Sequence, residues 1–290
     1  MIAEPRRYKL AEMVKAGQYD RTEAYFSKDF SIIQKFRSDA LAPWVKLGFP
    51  YVCSDWRLIL FRSGSIKLQI GLKVCKTKGP SPFVAIAPPG TTILPLEVYA
   101  DSEVSMVGFS GLSALEQYVP LPGFCVYTPP KIKFERLELT CAYLNALAHR
   151  DPSFSVLEDG FRLLADDVLN SVSLGARNVH GHIRNLFFSL LMSRGAISHP
   201  VSYYAKLLKV TPAVLNAAVK SVEPKETPLS LINRALILQA KVLLLHSDST
   251  AEGIAKALGL SGGPYFCRFF KRETGMTPTE YCEHARAGVA

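Results

Sequence analysis

A cluster of basic and aromatic side chains near the C-terminus has the chemistry that contacts nucleic acid. Tyr265, Arg268, Lys271 and Arg272 occur at spacings that place them on or beside the outer face of one helix. Arginine can donate two hydrogen bonds to one guanine, and lysine pairs with phosphate oxygens. The opposite face would be buried by three phenylalanines: Phe266, Phe269 and Phe270. We therefore expect a helix that is packed on one side and basic on the other.

Local capping signals would hold this helix in place. Ser249 with Glu252 fits a capping box for a preceding short helix, and Gly259 permits a tight turn after it. Ser261 is expected to cap the basic helix, where Pro264 is tolerated in the first turn. Further on, the pattern of a second capping box is formed by Thr277 and Glu280. Together these signals predict one helix-turn-helix unit over residues 250–274.

A looser copy of this arrangement occurs upstream. Residues 201–209 are predicted to be helical, and Thr211 would cap a helix over 212–220 that starts with Pro212. An apolar helix over 229–246 follows, about 27 Å long at 1.5 Å per residue. The pattern indicates a second unit over 201–220, joined to the first by a rigid spacer. Double-stranded DNA is the partner that such units bind.

Composition agrees with a soluble protein that has a polyanionic partner. The chain has 290 residues, a net charge of +9 and a pI of about 9.2, and excess positive charge favours nucleic acid. Its length predicts two domains. The N-terminus lacks a signal-like apolar core, and no apolar run approaches the roughly 20 residues of a membrane span. We therefore expect a cytoplasmic protein with no membrane partner.

The cysteines do not suggest a metal or disulfide framework. No C-x-x-C pair occurs among the six of them, which predicts free thiols in a reducing cytoplasm. They are Cys53, Cys75, Cys125, Cys141, Cys267 and Cys282.

The first part of the chain has the pattern of short β-strands. Apolar residues alternate with polar ones over 66–72, and 56–72 is interpreted as a hairpin with its turn at 62–65. Further strands are predicted over 29–36, 83–87, 91–94, 96–100 and 103–109. Many short strands with Gly and Pro between them favour an antiparallel jelly-roll or cupin-like barrel.

Such a barrel could hold a ligand, but its residues argue against metal chemistry. Residues 1–148 contain no histidine, so we expect no metal, no cofactor and no catalytic residues there. Aromatic side chains at strand spacing are more often core than pocket lining. The candidates for a pocket are Trp56, Phe61, Phe83, Tyr99 and Phe109.

From about residue 136 the apolar period changes to that of helices. One stripe contains Leu137, Cys141 and Leu144; the next contains Leu157, Phe161, Leu164 and Val168. These stripes could pack on the barrel or meet the same stripes of a second subunit, and we favour the homodimer. The pair His180 and His182 is interpreted as a solvated linker.

The C-terminal residues resemble the AraC/XylS-type family of transcription regulators. The motif runs through Ile254-Ala255, Leu258-Gly259-Leu260-Ser261, Tyr265-Phe266, Arg268, Phe270-Lys271, Gly275, Thr277-Pro278 and Tyr281. Matching upstream positions are Tyr204-Ala205, Leu207, Val210-Thr211-Pro212, Leu215, Ala240-Lys241 and Leu244-Leu245. The resemblance covers about 100 residues, and over residues 1–180 it is one of architecture only.

The resemblance implies which residues meet DNA. The first reading helix would present Ala213, Asn216 and Ala217, and the second would present Gly262, Gly263, Tyr265 and Arg268. Contacts to the DNA backbone would come from Thr211, Lys220, Ser261 and Lys271. Arg268 suits guanine and Asn216 suits adenine, unless Arg268 is only a solvated or salt-bridged surface residue. Departures from the family pattern occur at Ala217, Gly263, Pro264 and Cys282.

The sequence therefore predicts an α+β protein that regulates transcription and catalyses no reaction. The expected domains are a cupin-like sensor over 1–134, linker or dimerisation helices over 135–180, and a DNA-binding domain over 181–290. Promoter DNA, RNA polymerase, a second copy of the chain and a small-molecule effector are the expected partners. The alternative is a cupin-like ligand-binding or enzymatic protein whose helical tail mediates assembly.

Overall fold

The computed structural model describes residues 7–10, 12, 24–37, 47–77, 82–99, 102–110, 125–150, 153–173, 179–193, 197–221 and 223–287. Within these ranges strands occupy the N-terminal part and helices the remainder, so the predicted α+β class is confirmed. The strands are β1 (Arg7–Tyr8), β2 (Ala24–Phe26), β3 (Phe30–Arg37), β4 (Tyr51–Cys53), β5 (Trp56–Ser63), β6 (Ile66–Ile70), β7 (Lys73–Thr77), β8 (Phe83–Ala87), β9 (Thr92–Val98), β10 (Glu103–Phe109) and β11 (Cys125–Tyr127).

The strands of the described ranges form two sheets that pack face to face. One sheet has the order β1-β4-β9-β6-β7 and the other β11-β8-β5-β10-β3-β2. Their pairing is antiparallel, as predicted, except that β1 runs parallel to β4. Side chains from both sheets meet in one core, for example Ile59 and Phe61 of β5 with Leu68 and Ile70 of β6.

The predicted hairpin over 56–72 is wrong. β5 pairs with β8 and β10, whereas β6 pairs with β7 and β9, so the turn after Ser63 carries the chain from one sheet to the other. Both strands bury apolar side chains in the core between the sheets. The same sequence pattern is expected for two strands that hydrogen-bond within one sheet and for two strands that face each other from different sheets.

Two predicted strands, 91–94 and 96–100, are a single strand, β9. Pro95 lies inside it, at the shift in register between Lys67 and Leu68 of β6. A proline without an N–H fits such an irregularity, and its carbonyl accepts a hydrogen bond from Gly48 N at 2.8 Å.

The helices of the described ranges cover one sheet and build the C-terminal part. They are α1 (Lys131–Arg150), α2 (Phe154–Ser173), α3 (Val179–Ser193), α4 (Val201–Leu207), α5 (Pro212–Lys220), α6 (Pro228–His246), α7 (Ala251–Ala257), α8 (Gly263–Thr274) and α9 (Pro278–Ala287).

Helices α1 and α2 pack on the outer face of the six-stranded sheet. Leu137 and Leu144 of α1 and Phe161 of α2 are buried against strand residues such as Leu58 and Phe109. The prediction that these apolar stripes meet a second subunit is therefore wrong, because the same chain already covers them. The histidines at 180 and 182 are exposed, as predicted, but they lie in the first turn of α3 and not in a linker.

Helix α6 is the core helix of the C-terminal part. By length and composition this helix could cross a membrane, contrary to the prediction that no run is long enough. Its buried residues, however, pack within the helical core, where Leu236 and Leu243 lie with Leu215, Ile254 and Phe270. Burial of this kind explains the apolar composition without a bilayer.

The sheets hold α6 near both of its ends. Leu72, in the turn between β6 and β7, is fully buried in the helical core, and Arg234 Nη1 donates to its carbonyl oxygen at 2.8 Å. At the other end, His246 Nε2 lies 2.8 Å from the Pro50 carbonyl oxygen. The Tyr281 hydroxyl of α9 donates to the carbonyl of Gly48.

Candidate nucleic-acid interface

The first helix-turn-helix unit is formed by α4 and α5. The Thr211 hydroxyl accepts a hydrogen bond from Val214 N at 3.2 Å and Pro212 opens the helix, so the predicted cap is confirmed. Leu215 and Val219 are buried against the domain. The opposite face of α5 is solvent-exposed except for the half-buried Asn216, and it presents Thr211, Ala213, Ala217 and Lys220.

The second unit repeats the turn of the first. Val210 N donates to Ala205 O at 3.0 Å in the first turn, and Leu260 N donates to Ala255 O at 2.9 Å in the second. The residue that reverses the chain has a left-handed φ in each, 67° at Gly259 and 56° at Lys209. Gly259 takes this conformation freely, whereas the side chain of Lys209 crowds its own backbone there.

Replacing Lys209 by glycine is expected to stabilise the chain. The exchange removes the steric cost of a left-handed lysine, about 1–2 kcal/mol, and adds some unfolded-state entropy, so we expect a net gain of about 0.5–1 kcal/mol in the free energy of unfolding. Urea denaturation of the full chain measures it. The matched control is Gly259→Ala, whose new Cβ would lie 2.8 Å from Ile197 Cγ2, and it should be destabilising. Loss of stability in Lys209→Gly would contradict the argument.

The caps around α8 differ from the prediction. Thr250, not Ser249, caps α7 and accepts from Gly253 N at 3.2 Å. Ser261 does not cap α8, whose N-cap is Gly262 with a φ of 140°. Glu252 replaces the missing cap from outside, since its Oε2 accepts a hydrogen bond from Gly263 N at 2.6 Å. One carboxylate thus ties the start of α7 to the start of α8.

Gly263 belongs to this tie and not to the reading surface. It is buried, and a Cβ there would lie 3.0 Å from Glu252 Oε2 and 3.2 Å from Glu252 N. Its N–H already donates to Glu252, so the residue has no exposed group for a base. Glu252 lies 11 residues before Gly263, so local capping patterns do not predict this role. The consecutive glycines at 262 and 263 were the available signal, since glycine allows such a close approach.

Removing the Glu252 carboxylate is expected to weaken the second unit. An N-terminal cap contributes about 0.5–2 kcal/mol, so Glu252→Ala should lower the free energy of unfolding by about 1 kcal/mol. Glu252→Gln keeps an acceptor oxygen and should recover part of the loss. Denaturant unfolding of both variants beside the wild type tests the tie, and equal stability of all three would refute it.

The outer face of α8 is basic, as predicted. Phe266, Phe269 and Phe270 are buried, whereas Tyr265, Arg268, Lys271 and Arg272 are exposed. Within the described ranges, neither the Arg268 side chain nor the Lys271 side chain has a hydrogen-bond or ion-pair partner. The Arg272 guanidinium is engaged, with Nη2 2.9 Å from Glu273 Oε1 and Cζ 5.3 Å from the centre of the Phe269 ring.

The closing segment after α8 forms as predicted. Thr277 N donates to Glu280 Oε2 at 2.7 Å, and Glu280 N donates to Thr277 Oγ1 at 3.3 Å, which is a capping box. The hydrogen bond from the Thr277 backbone lowers the pKa of the Glu280 carboxyl below its usual value. Cys282, a departure from the family pattern, is half-buried with Sγ 3.6 Å from the Leu244 carbonyl oxygen of α6.

The structure does not bring the proposed pocket aromatics together. Phe61 and Phe83 stack at 5.0 Å in the core between the sheets. Trp56 and Phe109 lie on the other face of the six-stranded sheet, under α1 and α2. Tyr99 is 52% exposed. These residues therefore line no common cavity, because alternate positions of a strand point to opposite faces.

Several thiols are buried and unreactive. Burial raises the pKa of Cys53 and of Cys75 to about 11 and the pKa of Cys141 to about 12, so these thiols are protonated at neutral pH. Among the residues that the structure describes, no three His, Cys, Asp or Glu side chains are grouped to hold a metal ion.

Part of the helical region is similar to a known type of domain. Residues 204–284 match the family model "Helix-turn-helix domain". The regulatory protein PocR of Salmonella typhimurium is 40% identical over 50 residues, which are 17% of this chain and 16% of PocR. The match thus spans about a sixth of that relative.

Distant likenesses also occur among solved structures. ToxT from Vibrio cholerae is 15% identical, with 91% of this chain and 100% of that chain covered and a TM-score of 0.42. ToxT solved with an unsaturated fatty acid bound is 15% identical over 90% and 97% of the two chains, with a TM-score of 0.39. A DNA-binding transcriptional dual regulator of Escherichia coli K-12 is 22% identical over 36% and 93%, with a TM-score of 0.32. These likenesses are too distant to bear on function.

Proposed function

We propose that this chain, which carries an AraC-type helix-turn-helix domain in residues 204–284, is a sequence-specific DNA-binding regulator of transcription. The observation that carries the proposal is the exposed basic face of α8. Arg268 and Lys271 stand on a helix that is fixed by its phenylalanine core and by the Glu252 tie. A matching unit, α4 with α5, lies at the other end of α6.

The contacts divide into base readers and phosphate contacts. Arg268 reads guanine and Asn216 reads adenine, since these side chains can form paired hydrogen bonds with those bases. The remaining contacts are to the DNA backbone or to the groove surface. They come from Thr211, Ala213, Lys220, Ser261, Gly262, Tyr265, Lys271 and Arg272. The sparse set of base readers implies that DNA shape contributes to recognition.

The spacer helix sets the distance between the reading helices. α6 has 19 residues, or about 28 Å at 1.5 Å per residue. One turn of the double helix is about 34 Å, so α5 and α8 are suited to successive major-groove faces of one duplex.

Selection of genomic DNA fragments by the purified full chain tests this function. The expected result is a set of fragments that share a two-part site and lie at promoters. In gel shifts with such a site, affinity should fall steeply with salt, because phosphate contacts release counterions. Recovery of random fragments, or binding that is indifferent to sequence, would refute sequence-specific regulation.

The proposal assigns regulation to the N-terminal part and to assembly. Residues 1–134 act as the sensor, 135–180 as the connection and 181–290 as the DNA-binding part. The chain acts in the cytoplasm, catalyses no reaction, and engages RNA polymerase at the promoters it occupies. A catalytic turnover by the purified chain would contradict this assignment.

A homodimer would use the outer faces of α1 and α2, because their inner stripes are buried. Ile132, Leu139 and Tyr143 of α1 and Leu163 of α2 are each more than 60% exposed. Exposed apolar side chains in such a group favour a protein interface. Sedimentation equilibrium should show a dimer that Leu139→Glu dissociates, while Lys225→Glu, an exposed change in the C-terminal part, leaves it intact. A wild type that stays monomeric at high concentration would exclude this interface.

A further inference from the structure

A polar cleft lies where the β-sheets meet the first helix-turn-helix unit. It has a volume of about 200 Å³ and opens between the turn that joins β6 to β7, helix α3, the segment after α5 and the first turns of α6. Its apolar wall contains Phe188 and the buried Leu72. The charged residues that line it are Lys73, Arg184, Glu223, Glu226 and Arg234.

Two of the cationic groups, Arg234 and Lys73, donate hydrogen bonds within the protein. Arg234 Nη1 donates to Glu226 Oε1 at 2.7 Å and to the Leu72 carbonyl oxygen at 2.8 Å. Lys73 Nζ donates to the Val126 carbonyl oxygen at 3.0 Å, which leaves its positive charge without a carboxylate among the described residues.

Arg184 is less well satisfied. Its Nη2 lies 3.7 Å from Glu226 Oε2, too far for a hydrogen bond, and its buried Nε has no hydrogen-bond partner among the described residues. Burial lowers the pKa of Arg184, because the loss of water outweighs the attraction of Glu226 and Glu223. The guanidinium is nevertheless held in one orientation, with Cζ 4.3 Å from the centre of the Phe188 ring.

We propose that this cleft binds a small monocarboxylate that also carries a hydroxyl or amino group. The ligand carboxylate would accept paired hydrogen bonds from the Arg184 guanidinium, the geometry that arginine favours with planar oxyanions. The lining has three cationic and two anionic side chains, so a hydroxy monocarboxylate neutralises its net charge, whereas a phosphate dianion reverses it. An amino monocarboxylate has no net charge, and its ammonium group pairs with Glu223 while its carboxylate pairs with Arg184. The carboxylate of Glu223 accepts no hydrogen bond from the described residues, and it would receive the ligand's hydroxyl or amino donor.

The position of the cleft gives such a ligand a means of regulation. Glu223 and Glu226 follow the first reading helix α5, and Arg234 belongs to α6, while Leu72 and Lys73 belong to the sheets. A carboxylate held between Arg184 and Glu223 would join α3 to the segment after α5, beside the contact of Arg234 with Leu72. This role as an effector site rests on the proposed function, whereas binding itself does not.

Calorimetric titration of the full chain without DNA tests binding alone. The probes are sodium salts of glycolate, lactate and 4-hydroxybutyrate, with serine, inorganic phosphate and chloride, at constant ionic strength. We expect at least one hydroxy or amino monocarboxylate to bind with a Kd below about 1 mM. Phosphate and chloride should bind more weakly. Failure of every monocarboxylate to bind at about 10 mM, or tighter binding of phosphate, would overturn the proposal.

Variants locate the site. Arg184→Gln removes the guanidinium and its paired donors, so it should weaken binding at least about tenfold, as loss of a charge-assisted hydrogen bond does. Glu223→Gln removes the charge of an exposed acceptor and should weaken the hydroxy and amino monocarboxylates, because their hydrogen bond to this side chain is then no longer charge-assisted. This variant keeps the test valid if Arg184→Gln folds poorly. Lys225→Gln lies in the same segment outside the cleft and should bind as the wild type does. Unchanged affinity in both Arg184→Gln and Glu223→Gln would place any binding elsewhere.

A separate gel shift with the bound carboxylate distinguishes the two proposals. If a carboxylate binds the cleft but the chain shows no sequence-specific DNA binding, the proposed function is refuted and the cleft proposal stands. A regulator that binds its DNA but no monocarboxylate refutes only the cleft.

Discussion

Replacing Arg268 by alanine is expected to lower the affinity for a selected DNA site by about 10- to 100-fold and to remove the preference at one base pair. A paired hydrogen bond from arginine to guanine contributes about 1–3 kcal/mol of discrimination. The Arg268 side chain is exposed on α8 and has no hydrogen-bond or ion-pair partner in the described residues, so no side-chain hydrogen bond or ion pair is lost with it. The effect on stability should therefore be small.

Lys271→Ala is the matched control for Arg268→Ala, because Lys271 is exposed on the same helix. A phosphate contact is independent of sequence, so this variant should bind all sites more weakly and reduce the slope of log affinity against log salt by about 1. Binding to the selected site and to single-base variants of it, measured at several salt concentrations, separates the two roles. Unchanged base preference in Arg268→Ala would show that Arg268 is not a base reader.

Replacing Arg57 by methionine is expected to destabilise the β-sheet part by about 3–5 kcal/mol, the usual effect of removing one partner of a buried ion pair. Arg57 and Asp55 are 1% and 3% exposed, and Arg57 Nη2 lies 2.7 Å from Asp55 Oδ1. The pair also holds the N-terminal strand, since Arg57 donates to Tyr8 O at 2.9 Å and Asp55 Oδ2 accepts from Leu10 N at 2.8 Å.

Thermal and urea unfolding of Arg57→Met should show the loss, and Arg57→Met with Asp55→Asn should be less destabilised because no buried charge stays unpaired. The control is Arg162→Met, which breaks a partly exposed helical pair with Glu158 at 3.1 Å and should lower stability by less than about 1 kcal/mol. Equal stability of Arg57→Met and Arg162→Met would contradict the importance of the buried pair.

Features set by neighbouring residues could be predicted from the sequence. The cap at Thr211 with Pro212 and the capping box at Thr277 with Glu280 form as expected, because each depends on a few consecutive residues. The inward phenylalanines of α8 follow from helical spacing in the same way. The cap of α7 is Thr250, one residue after the predicted Ser249. Both residues carry a hydroxyl that can accept a hydrogen bond, so the sequence alone does not distinguish them.

Features set by distant residues could not be predicted. The partners of β5 and β6 depend on which sheet each strand joins, and alternation of side chains is the same in both cases. The apolar stripes of α1 and α2 did not reveal whether a sheet or a second subunit covers them. Leu72 is an apolar residue in a tight turn, and the residues next to it in the sequence do not indicate that it enters the core of the helical part.

The attachment of the sheets near both ends of α6 restricts how this protein can change. One residue inserted in a helix rotates everything after it by about 100° and moves it by about 1.5 Å. Such an insertion in α6 would separate His246 from Pro50 while Arg234 still held Leu72, so it would lose an anchor as well as alter the angle between the reading helices. The contacts of the sheets with Arg234 and His246 thus fix the number of residues between these two positions of α6. Under the proposed function, a new spacing between the two parts of the DNA site would require compensating changes in the sheets, which lie outside the two helix-turn-helix units.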